Sequence, residues 1–78
     1  MNKLQIISDI LLIQKQYIEN KNNFPYSSNN VILYRNENFK ECINLIIQDS
    51  SFNIVFCDFH IDGIFHYIES CVKQIKNL

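Results

Sequence analysis

Three stretches of the chain space their apolar residues as one face of an α-helix does. They cover residues 3–20, 38–49 and 62–78. In each stretch the apolar positions fill an arc wide enough to pack against a core, and the third stretch separates its apolar and polar faces most cleanly. The pattern predicts three helices, with Asp62 placed to cap the third.

Two further segments, 31–34 and 54–57, are short continuous apolar runs bounded by polar residues. They are rich in β-branched and aromatic residues, as is typical of strands that are covered on both faces. The second run lies within 52–63, where it leads into a polar turn that ends at Gly63, the only glycine of the chain. These segments predict two buried strands, and the turn after the second is the main candidate for a site.

The predicted order of elements is α-β-α-β-α. A strand, a helix and a strand joined by short links form a right-handed crossover in nearly all known cases, which makes the two strands parallel. The predicted fold class is therefore α/β, in a small α+β-like form, with a central βαβ unit and helices on both faces of a minimal sheet. Residues 1–78 form one domain in this interpretation, and an all-α bundle is the alternative.

A parallel sheet of two strands leaves backbone groups unpaired at both edges. A third strand could come from the segment 24–28, from a second copy, or from a partner that adds a strand. If 31–34 is a free edge, a proline at Leu33 should abolish strand pairing with a partner, whereas a proline at Ser28 should change little. Phe24 and Tyr26, in the asparagine-rich loop, are predicted to fold back onto the core.

The composition excludes several classes of protein. The chain has 78 residues, 47% of them hydrophobic, and a net charge of -1, so it should fold, but it has no basic stripe for nucleic acid. No apolar run is long enough to cross a membrane and no signal peptide is evident, which predicts a cytoplasmic protein. The three cysteines, Cys42, Cys57 and Cys71, are widely spaced, so all three are predicted to be reduced, buried thiols.

Polar side chains follow both predicted strands. Asp58, His60 and Asp62 come after the second strand, and Glu37 and Asn38 come after the first. Parallel strands open on the same edge of a sheet, so these groups would lie close together. Carboxylates and an imidazole in that geometry could hold a divalent cation, although a strand end followed by a helix cap explains the same residues without a metal.

The spacing Asp58-Phe-His60-Ile-Asp62 is similar to the Asp-x-His-x-Asp segment of the ureohydrolases, in which these side chains bind manganese. The resemblance covers five residues and implies metal ligation by Asp58, His60 and Asp62. The larger domain and further aspartate ligands of those enzymes are not found in this chain, so their activity is not implied. Residues 53–63 also resemble the strand of response-regulator receiver domains that carries the phospho-accepting aspartate, here Asp58.

These observations predict a protein that is not an enzyme, uses no cofactor and binds another protein. The predicted function is an inhibitor or neutraliser, such as an immunity protein, an antitoxin or a phage-encoded blocker of a defence complex, with a toxin or defence-system component as partner. The alternatives are a metal-binding or receiver-like regulatory domain and an accessory subunit that binds a second copy of itself. Abundant asparagine, isoleucine and lysine suggest an A+T-rich, bacterial source. The predicted partner-binding residues are Asp58, His60, Asp62, Glu37, Arg35 and Leu12.

Overall fold

Residues 42–49, predicted above to form a helix, form the longest described strand of the protein. The buried side chains of this strand, Ile43, Leu45 and Ile47, alternate with half-exposed ones. That is the period of two that a strand shows when one of its faces is buried. β-Branched isoleucines also favour this extended conformation over a helix.

The loop before this strand explains why no helix begins at Asn38. Asn36 Oδ1 accepts hydrogen bonds from the backbone N–H groups of Asn38 and Phe39, at 2.8 and 3.0 Å. The N–H of Asn36 donates to the carbonyl of Cys42 at 2.9 Å. An asparagine that bonds to the backbone two and three residues further on makes a turn. The chain therefore reverses here and forms a hairpin, and the helix predicted to begin at residue 38 does not form.

A computed structural model of the protein describes residues 3–20, 23–49, 52–55 and 59–77, and for residues 49, 52–55, 59 and 60 it describes the backbone alone. A short 3₁₀ turn, Ile61–Gly63, precedes the second helix. The helices are α1 (Lys3–Glu19) and α2 (Ile64–Lys76), and the strands are β1 (Tyr26–Ser28), β2 (Val31–Arg35), β3 (Cys42–Asp49), β4 (Phe52–Val55) and β5 (Phe59–His60).

The sheet is antiparallel, in the order β1-β2-β3-β4, and β5 pairs with β3 as well. The protein is therefore a small α+β domain, and neither the parallel βαβ unit nor the all-helical alternative is correct. β1 comes from the segment 24–28, which was one of the three sources considered for a further strand. The parallel arrangement was inferred from a strand-helix-strand crossover, and the helix of that crossover, predicted at 38–49, does not form.

β2 is an interior strand, with β1 on one side and β3 on the other. The condition that it is a free edge, on which the predicted effect of a proline at Leu33 depended, is therefore not met. β1 is the edge strand, and the side chain of Gln16 on α1 donates a hydrogen bond to the carbonyl oxygen of Ser27 at 3.3 Å. A short edge strand whose carbonyl is already bonded offers little to an incoming strand.

Both described helices pack on the same face of the sheet, antiparallel to each other. The Tyr17 ring near the end of α1 meets the Phe65 ring at the start of α2, with centroids 6.2 Å apart. The two predicted helices at the ends of the chain are confirmed, but the prediction of helices on both faces is wrong. Buried residues from both helices and from β1, β2 and β3 form one core: Ile6, Ile7, Ile10, Ile13, Tyr17, Tyr26, Val31, Leu33, Ile43, Leu45, Ile47, Ile64, Ile68, Cys71 and Ile75.

Asp9 is a buried carboxylate on α1. Its Oδ1 accepts hydrogen bonds from Gln5 Nε2 at 3.2 Å and from Asn29 Nδ2 at 3.1 Å, and Ser28 Oγ lies 3.4 Å away. Asn29 has a φ of 46°, in the left-handed region that asparagine tolerates better than most residues. Asp9 thus ties the middle of α1 to the turn between β1 and β2.

The aromatic residues on either side of Pro25 fold back onto the core, as predicted. The rings of Phe24 and Tyr26 each lie with their centroids 6.1 Å from that of Tyr17. The Tyr26 hydroxyl donates to the carbonyl of Asn20 and accepts from the N–H of Asn23. This cluster joins α1 to the start of the sheet.

The described helices are too short or too polar to cross a lipid bilayer.

Candidate functional site

One shallow depression lies at the end of the sheet where the β2–β3 hairpin meets the 3₁₀ turn. It has a volume of about 310 Å³ and is lined by Arg35, Lys40, Glu41, Ile61 and Asp62. The backbone N–H of Ile61 donates to the carbonyl of Glu41 at 2.7 Å and so fixes the turn against the hairpin. Two of the predicted site residues, Arg35 and Asp62, are therefore brought together.

The described lining of this depression includes none of the other predicted residues. Glu37 is exposed in the β2–β3 loop and is not part of the lining. The backbone of His60 pairs with Cys42, but its side chain lies outside the described residues, as does all of Asp58. The metal and receiver-like interpretations of this turn therefore stay predictions. Among the described side chains, no group of three or more histidine, cysteine or acidic residues could hold a metal ion.

Asp62 does not cap α2, which corrects the role predicted for it. The N-cap residue is Gly63, and no side chain hydrogen bond caps this end of the helix. Asp62 is exposed in the 3₁₀ turn, where it is available for contact with another molecule.

The charges around the depression are balanced, with two basic and two acidic side chains. Arg35 is also engaged within the fold, because its Nη1 donates to the carbonyl of Lys40 at 2.6 Å and its guanidinium lies 5.1 Å from the centroid of the Phe24 ring. A cation over an aromatic face is held electrostatically by the ring. The depression can therefore supply polar contacts, but it does not select strongly for a charged ligand.

A second and larger concave surface runs between the two helices. We call it the helix groove; its volume is about 570 Å³. Its floor is mainly apolar, and its charged side chains come from α2. The lining residues are Ile7, Leu11, Gln14, Phe65, Ile68, Glu69, Val72, Lys73 and Lys76.

Large apolar side chains stand beside this groove and are open to solvent. We call the group Leu4, Leu11, Ile18 and Phe65 the apolar ridge; these side chains are exposed by 79%, 48%, 55% and 48%. The first three recur every seven residues, so they lie on one side of α1. The apolar pattern of α1 predicted that Leu4, Leu11 and Ile18 would be buried. This prediction is wrong, because the apolar arc of α1 is wider than the surface that the sheet can cover.

Leu12 is also exposed, by 46%, as its place on the polar side of the helix predicted. It lies about 100° around the helix from Leu11, which puts it next to Gln5 and Gln16 and away from the helix groove. Leu11 and Leu12 are thus neighbours in sequence with nearly equal exposure on different sides of α1.

Cys71 is buried on α2 and free of any disulfide, as predicted. Burial raises the pKa of its thiol to about 12, an effect that the side chain hydrogen bond with Tyr67 partly offsets. At pH 8 only about one thiol in 10⁴ is then ionised, and the thiolate is the reactive form. Cys42 is half-exposed, so its predicted burial is wrong. Cys57 lies outside the described residues.

We expect iodoacetamide to alkylate Cys42 and to leave Cys71 unmodified in the native protein, between pH 7 and pH 9. A pKa raised to about 12 keeps the Cys71 thiol protonated throughout this range. Peptide mass spectrometry after short exposure measures each site separately. Labelling in urea is the control, in which both sites should react, and native labelling of Cys71 at the rate of Cys42 would contradict its burial.

The described surface offers two kinds of contact: polar contacts at the Arg35–Asp62 depression and apolar contacts along the helix groove and ridge. The two are connected, because Phe65 contacts Tyr17, Tyr17 contacts Phe24, and Arg35 lies over the Phe24 ring. Comparison of the chain with models of known protein families, with curated proteins and with solved structures finds no match in any of the three.

Proposed function

We propose that the protein is a non-enzymatic inhibitor or neutraliser that binds another protein through the apolar ridge. The observation that carries this proposal is the exposure of four large apolar side chains. Three of them lie on one side of α1, and the fourth, Phe65, lines the same groove as Leu11. Isolated apolar residues are common on protein surfaces, but contiguous exposed patches mark interaction sites. The ridge borders a concave groove, so a partner can both cover the ridge and fill the groove.

The size of the chain supports a binding function. A domain of 78 residues buries a smaller share of its surface than larger domains do, and its margin of stability is narrow. Leaving Leu4 exposed by 79% adds nothing to the core, yet such a side chain contributes to binding once a partner removes it from water. The proposal therefore assigns the ridge to binding and the buried residues to stability.

The partner in this proposal is a toxin or a component of a defence system, in the cytoplasm, which the protein neutralises by covering it. Arg35 and Asp62, at the end of the molecule where Phe65 lies, would add polar contacts at the rim of the interface. Polar rims around an apolar centre are the usual arrangement of such interfaces. Leu12 lies on the other side of α1 and has no part in this binding surface.

The test is to express the protein together with the product of the neighbouring gene and to measure the growth of the host cells. We expect the unmodified protein to relieve growth inhibition by that product. Leu11→Glu should abolish the relief, since it places a charge in the centre of the apolar surface. The expected loss of affinity is at least 100-fold, the size of effect seen at central interface positions.

Leu12→Glu is the matched control. It changes the adjacent leucine, which is exposed to nearly the same extent, 46% against 48% for Leu11, and it should leave binding unchanged. Circular dichroism spectra check that both variants are folded. Equal effects of the two substitutions, or a larger effect at Leu12, would contradict the proposed surface.

A further inference from the structure

We infer that the segment bound in the helix groove is an amphipathic helix of the partner that carries acidic residues at one end. This inference rests on the proposed function and deepens it, because it specifies the chemistry of the bound segment. Two observations support it: the shape of the groove and the uneven distribution of charge along it.

The shape of the groove fits a short helix. It runs along α2 from Phe65 to Lys76, a distance of about 16 Å at the rise of an α-helix. That length matches about three turns of a helix laid beside α1 and α2. Helices that bind in grooves use apolar residues at positions i, i+3 or i+4, and i+7, and the apolar floor of this groove offers them matching contacts.

The charge is concentrated at one end. Lys73 and Lys76 lie at the C-terminal end of α2, whereas Phe65 and Gln14 at the other end of the groove carry no charge. Glu69 lies 3.6 Å from Lys73, but both side chains are more than 60% exposed, so this ion pair is weak and easily exchanged. Lys76 has no ion-pair partner among the described residues. Acidic side chains of a bound helix are therefore favoured at this end.

A second copy of the chain fits this charge distribution poorly. Its exposed helix, α1, carries Lys3 in the first turn and both Lys15 and Glu19 near the last. Neither direction of α1 along the groove would bring net negative charge to Lys73 and Lys76. An acidic helix from a different protein complements this end better, since opposite charges select partner and direction.

The inference can be tested with fluorescent helical peptides of about 14 residues. All share leucines at helical spacing with alanine and glutamine elsewhere. One peptide carries a pair of glutamates in its first turn and a second carries the pair in its last turn. Two further peptides carry lysines in place of these glutamates. Fluorescence anisotropy at low salt measures their affinity for the purified protein. We expect one glutamate peptide to bind about tenfold more tightly than its lysine counterpart, with the difference falling as salt is added.

Charge reversal in the protein should reverse this preference. The double variant Lys73→Glu with Lys76→Glu is expected to bind the corresponding lysine peptide more tightly than the glutamate peptide. Lys40→Glu is the matched control, because Lys40 is exposed at the Arg35–Asp62 depression and away from the groove. It changes the net charge by the same sign and should leave the preference in place. Leu11→Glu should reduce the binding of every peptide at least tenfold.

Three results with the peptides would overturn the inference: no binding of any peptide, equal binding of the acidic and basic peptides, or a preference that Lys40→Glu removes as well. A dimer of the unmodified protein that Leu11→Glu dissociates, seen by light scattering on a size-exclusion column, would also overturn it in favour of a second copy. In each case the proposed function is judged separately, by the effect of Leu11→Glu against Leu12→Glu on relief of growth inhibition.

Discussion

Replacing Leu33 with proline is expected to unfold the domain. Leu33 is completely buried, and in β2 it pairs with Tyr26 on one side and with Leu45 on the other. The bonds from Gln48 N–H to Asn30 O and from Asn36 N–H to Cys42 O show that even-numbered residues of β2 direct their backbone groups to β3. The N–H of Leu33 therefore points to β1. Proline removes that donor, and a proline in an interior strand is strongly disfavoured.

The expected cost is more than about 4 kcal/mol, which combines the lost side chain with the lost backbone bond. A small domain has a total stability near the lower end of about 5–15 kcal/mol, so Leu33→Pro should show no cooperative urea transition. Leu33→Val is the control, since it keeps the backbone donor and removes one methylene, for a cost of about 1 kcal/mol. A cooperative transition of Leu33→Pro near that of Leu33→Val would mean that β2 is not an interior strand.

This outcome differs from the one expected from the sequence, in which Leu33→Pro prevents a partner from pairing with the strand and the domain itself stays folded. The proline at Ser28 no longer serves as a neutral control either. Ser28 belongs to β1, where it pairs with Val31, and its hydroxyl lies 3.4 Å from the buried carboxylate of Asp9. The position of a strand within a sheet depends on partners that are distant in sequence, and one such partner, β1, was predicted as a possibility only.

The two helices at the ends of the chain were predictable because each is long enough to repeat its apolar pattern several times. The strand at 42–49 could not be predicted in this way, because its apolar residues fit both the helical period of 3.6 residues and the strand period of two. Cys42, Ile43 and Ile46 suggest a helical face, while Ile43, Leu45 and Ile47 give strict alternation. A short segment with apolar residues on both sides is ambiguous by pattern alone. Pairing of the segment with β2 and β4 decides between the two, and that pairing is a tertiary interaction.

The candidate site was predicted in part. Arg35 and Asp62, both predicted as partner-binding residues, lie together in the depression. Glu37 and Asn38, which the parallel sheet was predicted to bring to Asp62, are not among its lining residues. The apolar ridge was missed, since the apolar arc of α1 predicts which residues could be buried but not how far the sheet extends. A signal was present: Leu4, Leu11 and Ile18 form the edge of that arc, opposite Asp9, which the fold buries.

Replacing Tyr17 with alanine is the second change for which a large loss of stability is expected. Tyr17 is only 8% exposed, and its ring meets the rings of Phe24, Tyr26 and Phe65. It therefore joins α1 to the chain before the sheet and to α2. Truncation of a large buried aromatic residue costs about 3–5 kcal/mol. The midpoint of urea unfolding, followed by circular dichroism, measures this cost.

Ile18→Ala is the matched comparison, one residue further along α1. Ile18 is 55% exposed on the apolar ridge, so its truncation should change the free energy of unfolding by no more than about 0.5 kcal/mol. The same substitution should weaken partner binding, because a ridge side chain would be removed from the interface. Stability and binding would then be separated between two adjacent residues of one helix. If Tyr17→Ala costs less than about 1 kcal/mol, or if Ile18→Ala costs as much as Tyr17→Ala, the division of α1 into a buried side and a binding side is wrong.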